Sequence, residues 1–134
     1  MDISLGMINN YLNYITDGWI DTHGPPAADL HDYYETVMQI KGDVDARNDT
    51  VPFLLGLDYL LCNPSLNLDE HGTLYDWEDE EVREVIRYIR STIYPNADPV
   101  DCEKMKEVNL LPMGEYEWWK LRIIEGLHPD FTKQ

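Results

Sequence analysis

The chain has 134 residues and a mass of 15.7 kDa, the size of a single domain spanning residues 1–134. It carries 10 Lys and Arg against 26 Asp and Glu, for a net charge of −16. Such an excess argues against direct binding to nucleic acid or to an anionic membrane, which need a basic footprint, and points to a cationic partner. With 43% hydrophobic residues, four Trp and nine Tyr, the chain also has the apolar material that acidic disorder lacks.

The opening stretch MDISLGMINNYLNYI contains no Lys or Arg and no long apolar core, so no secretory signal is expected. Spacing at three and four residues predicts a first helix over residues 2–17, with Leu5, Ile8, Tyr11, Leu12 and Ile15 on one face. Gly18, Gly24, Pro25 and Pro26 then read as a turn. A second helix is expected over 28–41, with Leu30, Tyr33, Tyr34, Val37 and Met38 as its stripe and Gly42 as its stop.

The polar loop GDVDARNDT leads into a third helix, with Thr50 as cap and Pro52 in its first turn. Phe53, Leu54, Leu57, Tyr59, Leu60 and Leu61 make that helix apolar almost all round, as befits a central element. Its stretch VPFLLGLDYLLC is interrupted by Asp58 and falls far short of the ~20 residues of a membrane span.

Pro64 ends the helix, and residues 65–75 read as a loop or a short hairpin. A fourth helix over 76–94 places Val82, Val85, Ile86, Ile89 and Ile93 in one stripe, stopped by Pro95. A short helix over 100–109 and a last one over 114–126, with Tyr116, Trp119, Ile123 and Leu127 sharing a face, complete the set. Short connections between amphipathic helices imply an all-α, single-domain bundle of five to six helices. Cys62 and Cys102 do not make a disulfide framework and are expected as reduced thiols in a cytoplasmic protein.

Charge is unevenly distributed. Residues 1–81 hold 17 acids and two bases, Lys41 and Arg47, whereas residues 82–134 hold nine acids and eight bases. The densest patch is Asp76, Glu78, Asp79, Glu80, Glu81 and Glu84, preceded by Asp69 and Glu70. Helix capping, the macrodipole and surface pairs of Asp79 with Arg83 and of Glu84 with Arg87 account for three or four of these acids. On a helical projection Glu80, Glu81, Glu84 and Tyr88 lie opposite the apolar stripe, so Tyr88 is expected to be an outward-facing aromatic ringed by carboxylates. With Trp77 beside them, these residues are the expected partner-binding surface.

Catalytic and metal chemistry find little support in the residues. The run Asp43, Asp45, Arg47, Asp49 resembles the start of an EF-hand loop. It has Arg47 at a ligand position, Asn48 where the sharp turn needs Gly, and Leu54 in place of the closing Glu, so it reads as a polar turn. His31-Asp32 resembles the doublet of the HD phosphohydrolases, but only His23, His71 and His128 remain to supply further His ligands. No His-x-x-x-His, Cys-x-x-Cys or glycine-rich phosphate loop occurs. No catalytic residue, metal or cofactor is therefore expected.

In size, acidity, cysteine usage and lack of a catalytic motif, the chain resembles the small acidic immunity proteins of bacterial toxin–immunity pairs. The resemblance implies a non-catalytic inhibitor of a basic protein, a nuclease toxin, bound through the acidic surface. The alternative is a phage-type DNA mimic, of the anti-restriction or anti-CRISPR kind. Six carboxylates over the ~12 Å of helix from residue 76 to 84 approach the charge density of duplex DNA. The near-neutral residues 82–134 favour a localised patch, and with it the inhibitor.

Overall fold

A computed structural model describes residues 1–63 and 77–127. The fold is mainly α, as the sequence implies, with two three-residue strands as its only β structure among the described residues. The expected hairpin at 65–75 lies outside them.

The chain starts as a strand, β1 (Asp2–Ser4), rather than as helix. It pairs in parallel with β2 (Asn109–Leu111), Ile3 opposite Leu110, and buries Ile3 completely. Three residues are too few for an alternating pattern to show in sequence. Ser4 ends the strand and caps α1 (Leu5–Asn13): its Oγ accepts the Met7 amide at 3.0 Å and donates to the Met113 carbonyl at 2.6 Å.

Helix α1 buries Ile8, Tyr11 and Leu12 as its periodicity requires. The expected turn after Asp17 does not form. The chain widens into a π-helical segment, Tyr14–Trp19, and continues as α2 (Ile20–His23) to Gly24, whose φ of 92° ends it. Continuing the helix past Gly18 brings Ile20 into the core and Trp19 against it.

A 3₁₀ turn (Leu30–Tyr33), capped by Asp29, leads into α3 (Tyr34–Ala46). This helix runs four residues past Gly42. Full burial of Val44 and the Lys41–Asp45 ion pair outweigh the ~1 kcal/mol that an interior glycine costs. Asn48 ends it, with φ of 57°. Its amide returns to Asp45 O and that of Asp49 to Val44 O, the paired bonds of a Schellman cap.

Helix α4 (Thr50–Cys62) occupies the centre, packed on α1 and on α5 (Asp79–Ile93), and buries Phe53, Leu57 and Leu60. Helix α5 buries the whole predicted stripe from Val82 to Ile93. Its buried Arg83 donates to the carbonyls of Leu60 and Asn63, satisfying the open end of α4. The short α6 (Cys102–Met105), capped by Asp101, packs on α4.

This packing brings two residues 40 apart in sequence to a Cα separation of 5.4 Å, and Cys62 and Cys102 form a disulfide. They are not the reduced thiols expected, because their proximity arises only in the tertiary fold. Helix α7 (Glu115–Ile124) packs on α1 and buries Trp118, leaving Tyr116 73% exposed, so the predicted Tyr116–Trp119–Ile123–Leu127 face is not the buried one. Among the described residues, no helix is long and apolar enough to cross a membrane.

Candidate functional site

The acidic run at the head of α5 is more structural than its composition suggests. Glu78 and Glu81 form a reciprocal capping box, the Glu81 carboxylate accepting the Glu78 amide at 3.0 Å. Asp79 pairs with Arg83 at 2.8 Å, and Arg87 reaches both Glu80 (2.9 Å) and Glu84 (3.0 Å). Glu78, Glu80 and Glu84 are exposed; Asp79 and Glu81 are half-buried. Asp69, Glu70 and Asp76 lie outside the described residues.

The two aromatics of the expected surface do not face solvent. Trp77 is 2% exposed and its indole donates to the Thr16 carbonyl at 2.9 Å, fastening α5 to the π-helical segment. Tyr88 packs against the core and its hydroxyl is buried. The helical projection placed Tyr88 outward because it assumes one buried face, whereas α5 packs on both α3 and α4.

A constellation that the sequence reading took for a polar turn lies at the junction of α3 and α4. The Schellman cap turns the chain so that Asp49 points inward, and it is fully buried. Its Oδ2 accepts the Tyr11 hydroxyl at 2.7 Å and the Trp119 indole at 3.0 Å, and its Oδ1 accepts the Trp118 indole at 3.1 Å. Arg122 Nε sits 3.4 Å from Oδ1, a charge contact rather than a hydrogen bond, with its guanidinium over the Trp118 ring. Arg47 lies over the rings of Trp119 and Tyr11.

Burial first, and then the charge of Asp49, holds the Tyr11 hydroxyl well above the ordinary phenol range. With no exposure, Asp49 cannot meet a substrate; what it does is fix α7 to α1 and α4. A sequence signal for it exists in Trp118-Trp119, since buried indoles need acceptors.

A broad concavity lies elsewhere, between α1, the π-helical segment and α3. It has a volume of about 630 Å³. Its walls carry the indole of Trp19, the amides of Asn10, Asn13 and Gln39, and the carboxylates of Asp17 and Glu35. The Trp19 ring is held in place, stacked on His23 at 4.3 Å and edge-on to Tyr33. His23 is anchored in turn through Nδ1 to the Trp19 carbonyl and Thr22.

Asp17, Asp21, Asp32 and Glu35 are exposed, and none makes an ion pair among the described residues. Residues 1–40 contain no Lys or Arg at all. A smaller, separate groove of about 220 Å³ has Leu30 and Tyr33 on one side and Glu81 and Glu84 of α5 on the other. Among the described residues, exposed Glu78, Glu107, Glu117 and Glu125 also lack an ion partner, whereas Arg87 offsets Glu80 and Glu84.

No family model, curated protein or solved structure matches this chain.

Proposed function

We propose that this protein is a non-catalytic inhibitor that binds and neutralises a basic protein, acting as an immunity protein against a nuclease toxin. The observation that carries the reading is the segregation of charge. The first 40 residues lack Lys and Arg, and Asp17, Asp21, Asp32 and Glu35 stand exposed without a described ion partner. Each stands in the first turn of a helical segment, where the helix dipole favours it by about 0.3–1 kcal/mol, and against a cationic surface the same carboxylates steer encounter and fix orientation. Exposed Glu78 carries the same sign of charge to the head of α5.

DNA mimicry has less support. It wants free charge spread along an extended surface, and arginines offset Asp79, Glu80 and Glu84 on α5. Neutralising a nuclease places the protein in the cytoplasm, where the Cys62–Cys102 bond would have to persist against reducing thiol pools.

The test is to express the adjacent upstream reading frame with and without this protein and to count surviving cells. Killing that this chain alone reverses supports immunity and identifies the partner. Absence of killing, or killing that co-expression leaves unchanged, overturns the reading.

A further inference from the structure

We propose that the 630 Å³ cleft beside the π-helical segment is a receptor for an arginine side chain presented by a basic polypeptide. The proposal deepens the reading of the acidic surface and rests on it for the identity of the partner as a basic protein.

Three independent properties of the cleft converge on a guanidinium. Its volume is in the ~300–1,000 Å³ range of ligand pockets, too large for a bare metal ion. Asp17 and Glu35 place two carboxylates without described ion partners in its walls, so an entering cation displaces no resident base. The wall also holds a flat indole whose orientation is fixed by intramolecular contacts: Trp19 is stacked on His23 and met edge-on by Tyr33.

A guanidinium is planar, weakly hydrated and carries five donors, so it uses an aromatic wall, a carboxylate and an amide carbonyl together. An ammonium, a compact and strongly hydrated point charge with three donors, matches the flat ring and the spread of acceptors less well. Asn10 and Gln39, neither hydrogen-bonded through its side chain among the described residues, supply the amide acceptors.

The contrast with α5 is instructive. Glu80 and Glu84 are equally acidic and exposed, but Arg87 of the same helix already bridges them. The fold therefore provides its own control surface: one carboxylate pair that is occupied and another that is open.

The test is a titration of isotope-labelled protein with a hexa-arginine peptide, followed by amide and indole resonances, with hexalysine in parallel. The expected result is shifts centred on Asn10, Gly18, Trp19 and Gln39, with hexa-arginine binding more tightly than hexalysine. The double variant Asp17→Asn/Glu35→Gln should weaken hexa-arginine binding about tenfold or more, and Glu80→Gln/Glu84→Gln by less than about twofold. Asp17 and Glu35 make no side-chain hydrogen bond or ion pair among the described residues, and a melting curve confirms that the variant folds. Shifts centred on α5, equal losses in the two double variants, or hexalysine binding as tightly as hexa-arginine would each overturn the proposal. No toxin enters this titration, so its outcome stands whether or not the survival test succeeds, and a failed titration beside successful rescue removes the cleft alone.

Discussion

Asp49 accepts the indole N–H of Trp118 at 3.1 Å across 69 residues of chain. Because the same carboxylate also takes Trp119 and Tyr11, one side chain joins α1, the head of α4 and α7. Asp49→Ala should therefore destabilise the fold by about 3–5 kcal/mol, since it strands an arginine charge, two buried donors and a third that is half-buried around a fully buried site. Asp49→Asn should also destabilise, because its NH₂ group turns a donor toward groups that themselves donate. Urea denaturation measures both, and loss of near-UV circular dichroism from the two indoles should accompany the loss of stability.

Alkaline stability follows from four tyrosines. Burial is the foremost cause that raises the hydroxyl ionisation of Tyr11, Tyr14, Tyr33 and Tyr94 above the ordinary value. In the unfolded chain a tyrosine ionises near pH ~10. The folded state thus holds these protons more tightly, so their contribution is complete below that pH and is lost as pH rises through the folded values. Tyrosinate absorbance should rise in two phases, the exposed rings first and the buried ones together with the loss of helical signal. A single phase that precedes unfolding would contradict this.

The Cys62–Cys102 bond closes a long loop that includes α5. With a sequence separation of 40, loop-closure entropy assigns it about 4 kcal/mol in the chain-entropy account. Denaturation with and without reductant should show a loss in the range ~2–4 kcal/mol, the Cys62→Ser/Cys102→Ser variant behaving like the reduced protein. Thiol titration of the unreduced, unfolded chain should find no reactive group.

Gly6 is fixed by backbone. A Cβ there would stand 2.6–2.8 Å from atoms of Met113, Gly114 and Glu115, and the Gly6 amide donates to the Met113 carbonyl at 2.9 Å. Gly6→Ala should cost about 1–3 kcal/mol or more, because main chain cannot rotate out of the way as a side chain would. Hydrogen exchange should locate the damage in residues 109–115. At Gly56 the obstruction is the Ile8 side chain, both Cδ1 and Cγ1, so Gly56→Ala paired with Ile8→Ala should recover part of its loss, a relief with no counterpart at Gly6.

Helices α1 and α5 could be read from the chain because each repeats its apolar pattern over more than two turns, and α4 because it is a long apolar run between a polar loop and Pro64. What could not be read depended on partners distant in sequence. Gly42 looks like a stop until the burial of Val44 is known, and Gly18 looks like a turn until Trp19 and Ile20 find the core. Asp49 looked like one more surface acid because nothing local distinguishes it from Asp43 or Asp45; Tyr11 and the two indoles do. At the candidate surface, the excess of acid was legible, but its pairing was not. Arg87 sits among Glu80 and Glu84, and Arg83 beside Asp79, so the dense run is partly neutralised while the sparser acids at 17, 21, 32 and 35 stay unpaired among the described residues.

The parallel pairing of Asp2–Ser4 with Asn109–Leu111 has a bearing on synthesis. A ribosome delivers the N-terminal strand first, yet the segment it pairs with emerges more than a hundred residues later. Until then Ile3 has no strand partner, Ser4 lacks the Met113 carbonyl, and the Tyr11 side of α1 lacks the cover of α7. The nascent chain must carry this apolar edge through most of its translation. Substitutions that speed aggregation should therefore cluster at the N-terminal seam, even where the finished fold tolerates them.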